Sequence, residues 1–384
     1  MRLCDPMLPE LARVFSTNTS EAAHVVSAFA IAYGLLQAFY GPLGDRIGKY
    51  RLVALCTLLS AIGSLGAVFA ASLDFLVLAR LLTGMTAAGI IPLSMAWIGD
   101  TVPYEHRQAT LARFLAGQII GVIGGQFIGG FLTDALGWRW AFAFLASVYL
   151  CVGWVVLRES TRNPCVQGSH RGPTSNAKSL DQIAVVLKTP WARVVLATVF
   201  TEGVVLFGPM AFVPSYLHAR FSISLTLAGS LMVGFGLGGI VYISLARFFV
   251  SRLGEVGLAR VGGSLLALAW ALLSWQENWW LTPVATFLLG LGYYQLHNTL
   301  QTNATQMAPT VRGTAVSLFA SAFFLGQSLG VILSASVIAA FGNLSLFLTA
   351  ACLLPALGAV FAWLLAAHHR QRRDEVQQSL EKKP

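Results

Sequence analysis

Charge is scarce in this chain. Asp, Glu, Lys and Arg make up 11% of its 384 residues. A soluble protein carries about 25%, so a water-soluble fold of this length is excluded. Cysteine is also sparse. Its five copies (Cys4, Cys56, Cys151, Cys165 and Cys352) form no C-x-x-C and no metal-type spacing. That excludes a zinc site or a disulfide frame. Four of the five lie in or beside apolar segments, where Cys behaves as a small hydrophobe. No basic segment leads into an uninterrupted apolar core at the start, so a signal peptide is not expected there. Neither a nucleophile–base pair nor a His/Asp metal cluster is present, so the chain is not expected to be an enzyme, and no cofactor or metal is expected.

What the chain has is apolar surface. Hydrophobic residues make up 56%, and the mean hydropathy is +0.70. They fall in runs of roughly 20, the length that crosses a bilayer core. Eleven spans are predicted: 23–43, 51–71, 74–98, 108–133, 139–157, 191–217, 223–246, 258–275, 279–305, 313–340 and 343–367. A polar stretch, Arg158 to Pro190, divides them into an N-terminal bundle (1–157) and a C-terminal bundle (191–367), with a basic tail at 368–384.

The net charge of +9 would point to nucleic acid on a soluble chain. Here most of the 25 Lys and Arg sit in loops 44–51, 100–107, 158–190, 247–260 and 309–312 and in the tail. These alternate onto one side, whereas Arg2, Arg13, Arg139 and Arg220 fall on the other. The positive-inside rule then puts the loops and the C-terminus in the cytoplasm. The partners expected are the lipid bilayer and a small molecule, not nucleic acid.

The halves repeat. Arg107, Gly121 and Gly125 recur as Arg312, Gly326 and Gly330, a shift of 205. "PMLP" (Pro6–Pro9) recurs in "PMAFVP" (Pro209–Pro214), and "GDRIG" (Gly44–Gly48) recurs as "VSRLG" (Val250–Gly254). Parallel repeats about an axis normal to the membrane place a pathway between two bundles. The same shift predicts that "MRLCDPMLPELARVF" (Met1–Phe15) is the outer end of a first transmembrane helix, the twin of "GPMAFVPSYLHARF" (Gly208–Phe221), whose matching span would begin before Met1.

"GPLGDRIGKYRLV" (Gly41–Val53) is not a phosphate-binding loop, because its glycine spacing and membrane flanks are wrong. It resembles the loop after the second helix of the major facilitator superfamily, through Gly41, Leu43, Gly44, Asp45, Arg46, Gly48 and Lys49. The resemblance covers essentially the whole chain. It implies an all-α polytopic membrane protein of two pseudo-symmetric six-helix bundles that moves a small organic molecule by alternating access, and we expect it to act as a monomer. In that family this loop latches the cytoplasmic side. By resemblance Asp45 would face the N-terminus of the span starting at Arg312, where a helix dipole favours negative charge, with Arg107 or Arg113 as its cationic partner.

"LARLLTGMTAAG" (Leu78–Gly89) puts Arg80 inside a span. A buried partner and snorkelling to the outer interface compete as explanations. The stretch resembles the family's fourth-helix motif, linked there to proton transfer. "GQIIGVIGGQFIGG" (Gly117–Gly130) carries a stripe at Gly117, Gly121, Gly125 and Gly129, which allows close helix packing. With Gly130 it resembles the antiporter motif of the drug-exporting branch, except that Gln126 replaces the family proline. "GWRWAF" (Gly137–Phe142) is typical of the family's next loop.

Glu202 falls near mid-membrane, and an intramembrane carboxyl is a functional candidate by default. Asp5 is a second candidate, if Met1–Phe15 belongs to a membrane helix. In "YYQLHNTLQTNATQ" (Tyr293–Gln306), Tyr294, Asn298, Gln301 and Thr305 share one helical face. Such a face suits either a polar pathway or helix–helix hydrogen bonds, and His297 beside it could titrate. With no nucleotide motif, an ion gradient, most simply protons, is the expected energy source. Export of a small organic molecule by proton antiport is the expected activity, in the inner membrane if the protein is bacterial. Uptake, sugar efflux and a non-transporting sensor or scaffold are the alternatives.

Overall fold

The computed structural model describes residues 2–162 and 179–381, and among them there is no strand. Eleven helical spans cross the molecule, and we number them in chain order. Span 1 is His24–Ile47 and span 2 is Lys49–Val68. Span 3 comprises Leu73–Ala87 and Ile90–Thr101. Span 4 is Tyr104–Ala135 and span 5 is Trp138–Arg162. Span 6 begins with Pro190–Glu202 and ends with Val213–Phe221. Span 7 comprises Leu225–Ser230 and Val233–Ser244. Span 8 ends the helix Ala246–Trp275, and span 9 is Thr282–Ala304.

Spans 10 and 11 lie in one helical run, Arg312–Glu381. A straight helix of that length would measure about 105 Å, more than three bilayer cores. Gly342, at φ 78°, turns the chain back and separates 312–341 from 343–381. Gly48 and Gly137, both at φ 98°, make the same kind of turn after spans 1 and 4; these conformations strain any residue with a Cβ. Spans 3 and 7 start on serine caps, with Ser72 Oγ accepting from the Phe75 N–H and Ser224 Oγ from the Leu227 N–H. Within the spans, hydroxyls bond back to the preceding turn, as Ser60 does to the Cys56 carbonyl and Ser64 to the Ser60 carbonyl. Those hydroxyls are thereby satisfied without water, as the bilayer interior demands.

The structure departs from the predicted spans in several places, span 7 being split between Ser230 and Val233. Span 3 is broken at Ala88–Gly89. Span 6 contains a π-helical segment, Gly203–Phe207. The helix carrying span 8 starts at Ala246 and bends at Gly254 (φ 61°). The loop between the halves holds a further helix, Ser179–Lys188, whose Gln182 accepts a hydrogen bond from Thr314 at 2.7 Å. The tail is not purely a solvated end. It continues span 11, and its first residues dock on the bundle: the His368 ring stacks on Trp191 at 4.1 Å and His369 lies 3.7 Å from Glu255.

Residues 2–14 form a 3₁₀ turn and a short helix. They are packed inside the first bundle, with Cys4, Met7, Leu8 and Leu11 fully buried. Each half has its own apolar core. The first half's core extends across to Ala211, Phe212, Val331 and Ala335 of the second, so the two halves share packing there. Large apolar side chains such as Ile62, Ile120, Trp154, Leu237 and Trp363 are exposed around the perimeter, as expected where the solvent is hydrocarbon and not water.

Candidate functional site

The centre of the molecule is built on an irregular helix. Pro190–Glu202 gives way at Glu202 to the π segment Gly203–Phe207, a local widening that recurs at functional sites. Close packing holds it in place. Gly203 lies against the Phe323 carbonyl, and Gly208 lies against Gly330 of span 10. The irregular turn aims Glu202 inward, where it is fully buried. Its Oε2 is 2.7 Å from Nδ1 of His297 on span 9. Its Oε1 is buried and has no hydrogen-bond partner among the described residues.

Aromatic rings enclose this pair. Tyr293 stacks on His297 at 4.8 Å, and Phe323 and Phe319 lie 4.7 and 5.4 Å from the same ring. Phe207, at the end of the π segment, meets Tyr293 edge-on at 5.1 Å. The other face of the site comes from the first half. The Arg2 guanidinium sits 4.6 Å from the Phe207 ring centre, pairs with Asp5 at 2.9 Å and reaches Gln327 of span 10 at 3.4 Å. Asp5 is fully buried, and its Oδ1 likewise has no partner among the described residues. Two buried polar pairs, one from each half, thus border one aromatic cluster, Arg2 at Phe207 and His297 at Tyr293, with those two rings in edge contact. Each keeps a carboxyl oxygen open, which can take a proton or accept a hydrogen bond from a ligand.

Arg80 is 1% exposed, so it does not snorkel. It donates to the Val25 carbonyl at 3.4 Å and lies over Phe29 at 4.4 Å. It is within electrostatic reach of Cys4, Asp5 and Tyr149. Two of the three coupling candidates, Asp5 and Arg80, therefore share one neighbourhood, while Glu202 stands opposite with His297. Of the pathway candidates, Asn298 donates to the Tyr242 hydroxyl at 2.8 Å, a helix–helix bond within the second half. Tyr294 packs over Gly239, and Gln301 is half-buried.

The glycine-rich segment, Gln126 included, runs through one unbroken helix. Gly129 packs against the Leu3 carbonyl, and a Cβ added at Gly125 would have the Leu3 nitrogen at 3.8 Å. Gly130 faces span 7 instead. Gly117 and Gly121 have no such neighbour within 4 Å among the described residues, so the close packing is confined to the outer part of the stripe. Gln126 is 1% exposed, and neither end of its amide has a partner among the described residues.

In the turn between spans 1 and 2, Gly44 packs under Leu93, while Gly41 has nothing within 4 Å among the described residues. Lys49 binds Asp100 at 2.5 Å, and Tyr50 packs on Trp97, so the turn is tied to the inner end of span 3. Arg46 and Arg113 are exposed. The side chains of Asp45 and Arg107 lie outside the described residues.

Arg2, Phe207, Tyr293, Phe323 and Gln327 were not singled out from the sequence. Arg2 had a usable signal in its i, i+3 spacing to Asp5. The π segment had none.

Two helical bundles related by a repeat are the architecture of one large transporter fold. The sequence profile of the Major Facilitator Superfamily matches residues 2–330 and 219–384. The chain belongs to this superfamily and is a multi-pass membrane protein. The MFS-type transporter YwfA of Bacillus subtilis (strain 168) is 24% identical over 374 residues, 96% of this chain and 90% of that protein. The "Probable multidrug resistance protein EmrY" of Escherichia coli (strain K12) is 28% identical over 162 residues, 41% of this chain and 32% of that protein. Among solved structures, a point mutant of the nucleoside transporter NupG superposes with a TM-score of 0.72 at 15% identity, covering 95% of this chain and 96% of that one. A bacterial homologue of the human lysosomal transporter Spinster, in an inward-facing and unoccupied conformation, gives 0.67 at 18% identity, covering 95% and 91%. At these identities the likeness concerns the fold.

Proposed function

We propose that this chain exports a small organic molecule in exchange for protons, by alternating access between its two bundles. The observation that carries the reading is the buried Glu202–His297 pair at the π segment. A carboxyl and an imidazole held 2.7 Å apart in the membrane can pass through protonated and deprotonated states only if something compensates the change. The neighbouring Arg2–Asp5 pair and the open carboxyl oxygens give a ligand the means to do so. The resemblance of part of the chain to EmrY favours export. Arg80 and Asp5 serve the same site from the first half, and the Gly41–Lys49 turn acts as the inner latch. The protein then works as a monomer without cofactor in the cell membrane, the inner membrane if bacterial, with its C-terminus in the cytoplasm.

Direction is tested in right-side-out and everted membrane vesicles against a panel of labelled organic compounds. Export predicts accumulation in everted vesicles energised by an acid interior, abolished when nigericin collapses the pH gradient. Accumulation only in right-side-out vesicles would replace export by uptake.

A further inference from the structure

The halves meet along two seams, and their outer ends are held differently. Between spans 1 and 10 the ties are neutral. Ser328 Oγ donates to the Ser27 carbonyl at 3.0 Å, and Ser20 Oγ, just ahead of span 1, donates to the Ala335 carbonyl at 3.1 Å. Between spans 4 and 7 the tie carries charge. Asp134, in the last turn of span 4, accepts the Leu225 N–H at 3.3 Å, the Thr226 N–H at 2.6 Å and the Thr226 hydroxyl at 2.6 Å. A carboxylate of the first half therefore caps a helix of the second.

Just below the tie, the backbones close together. Gly130 lies against the Leu225 carbonyl, Gly229 against the Gln126 carbonyl, and Gly236 against the Ile123 side chain. A helix N-terminus presents unpaired N–H groups and a positive dipole end, and a carboxylate answers both with charge-assisted bonds. At the repeat shift of 205, the counterpart of Asp134 is Ala339, so the second half has no equivalent anion. In the sequence Asp134 is one acid after a glycine stripe, and nothing local distinguishes it from an ordinary loop residue.

We propose that Asp134 is an outer-gate residue of the carrier. Its cap on span 7 holds the outer side shut, and its release is a step in opening the pathway outward. This rests on the alternating-access part of the function proposed above and not on proton coupling. Losing the charge weakens the cap, losing the acceptor weakens it further, and each loss shifts the population towards the outward-open form.

The test uses the full chain in lipid nanodiscs, with its five native cysteines replaced and spin labels on Leu136→Cys and Ser222→Cys. Electron–electron distances then report the outer opening. Asp134→Ala should raise the long-distance fraction at least roughly threefold. Asp134→Asn and Thr226→Ala should raise it less. Asp74→Asn, which alters an outer acid in the first turn of its own helix, should leave it unchanged. Should Asp134→Ala not assemble, the two milder variants decide the question. Distance distributions equal to the parent's in the Asp134 and Thr226 variants, or a shift as large for Asp74→Asn, would overturn the proposal. The reading requires no proton gradient, so it holds or fails separately from the coupling role of Glu202.

Discussion

In the second half, Gly330 of span 10 lies against Gly208 of span 6. In the first half, Gly125 of span 4 lies near Leu3. Shifted by 205 residues, one pair maps onto the other. The backbone plan is thus shared, down to the point where two particular helices touch. The charges are not shared. Arg80 corresponds to Ala285, which is buried in an apolar core. Asp5 corresponds to Met210, and His297 corresponds to Pro92. The duplicated unit therefore provides two bundles of one plan, and in the proposed function the chemistry resides in charges carried by one copy only. A symmetric pair of bundles with symmetric charges would have no reason to prefer one side's ligand over the other's.

The comparison can be broken most forcefully at Arg80. If the one-sided charges carry function, Arg80→Leu removes the cation facing Cys4 and Asp5 and lowers transport at least tenfold, an effect of more than about 1.4 kcal/mol. Arg80→Lys should not restore it, because an ammonium lacks the planar face that lies over Phe29. Recovery of transport in the Lys variant would reduce Arg80 to a generic positive charge. The matching change Ala285→Arg at the repeat position should not create a second functional site, only a misfolded or inactive protein.

A smaller effect sharpens the shared part of the plan. A Cβ at position 330 would meet the Val204 backbone, so Gly330→Ala forces two helices apart and should cost about 1–3 kcal/mol. At Gly125 the nearest atom, the Leu3 nitrogen, is 3.8 Å from the added carbon, an ordinary contact. Gly125→Ala should be neutral within about 0.5 kcal/mol. Thermal unfolding in detergent, read side by side, separates the two; equal losses would mean that the halves pack more alike than their contacts indicate.

Much of the fold was legible because bilayer crossing leaves a coarse signal. Most of the apolar runs, the gap between 340 and 343 and the basic loops follow from length and charge alone. Span 9 is the instructive case. It is too polar to meet a simple hydropathy criterion for crossing, yet its place between spans 8 and 10 requires it to cross. The irregularities were not legible. The π segment after Glu202 and the break at Ala88–Gly89 depend on which neighbour presses on the helix, and no local residue pattern encodes that.

The site was half legible. Glu202 stood out as a carboxyl in an apolar span and His297 only as a titratable residue in a polar one, but they are 95 residues apart, and their pairing depends on how spans 6 and 9 pack. Asp134 and Arg2 were hidden for opposite reasons, one because it looked like a loop residue and the other because it looked like an N-terminal one.

Coupling transport to protons is the role proposed for the buried Glu202–His297 pair. It is tested most directly in proteoliposomes by comparing wild type with Glu202→Gln, using a compound identified in the vesicle screen. Two modes are measured on each preparation: concentrative transport against an imposed pH gradient, and exchange of labelled for unlabelled compound with no gradient. Glu202→Gln should abolish the gradient-driven mode while exchange persists. Unchanged pH dependence of gradient-driven transport in Glu202→Gln would contradict it.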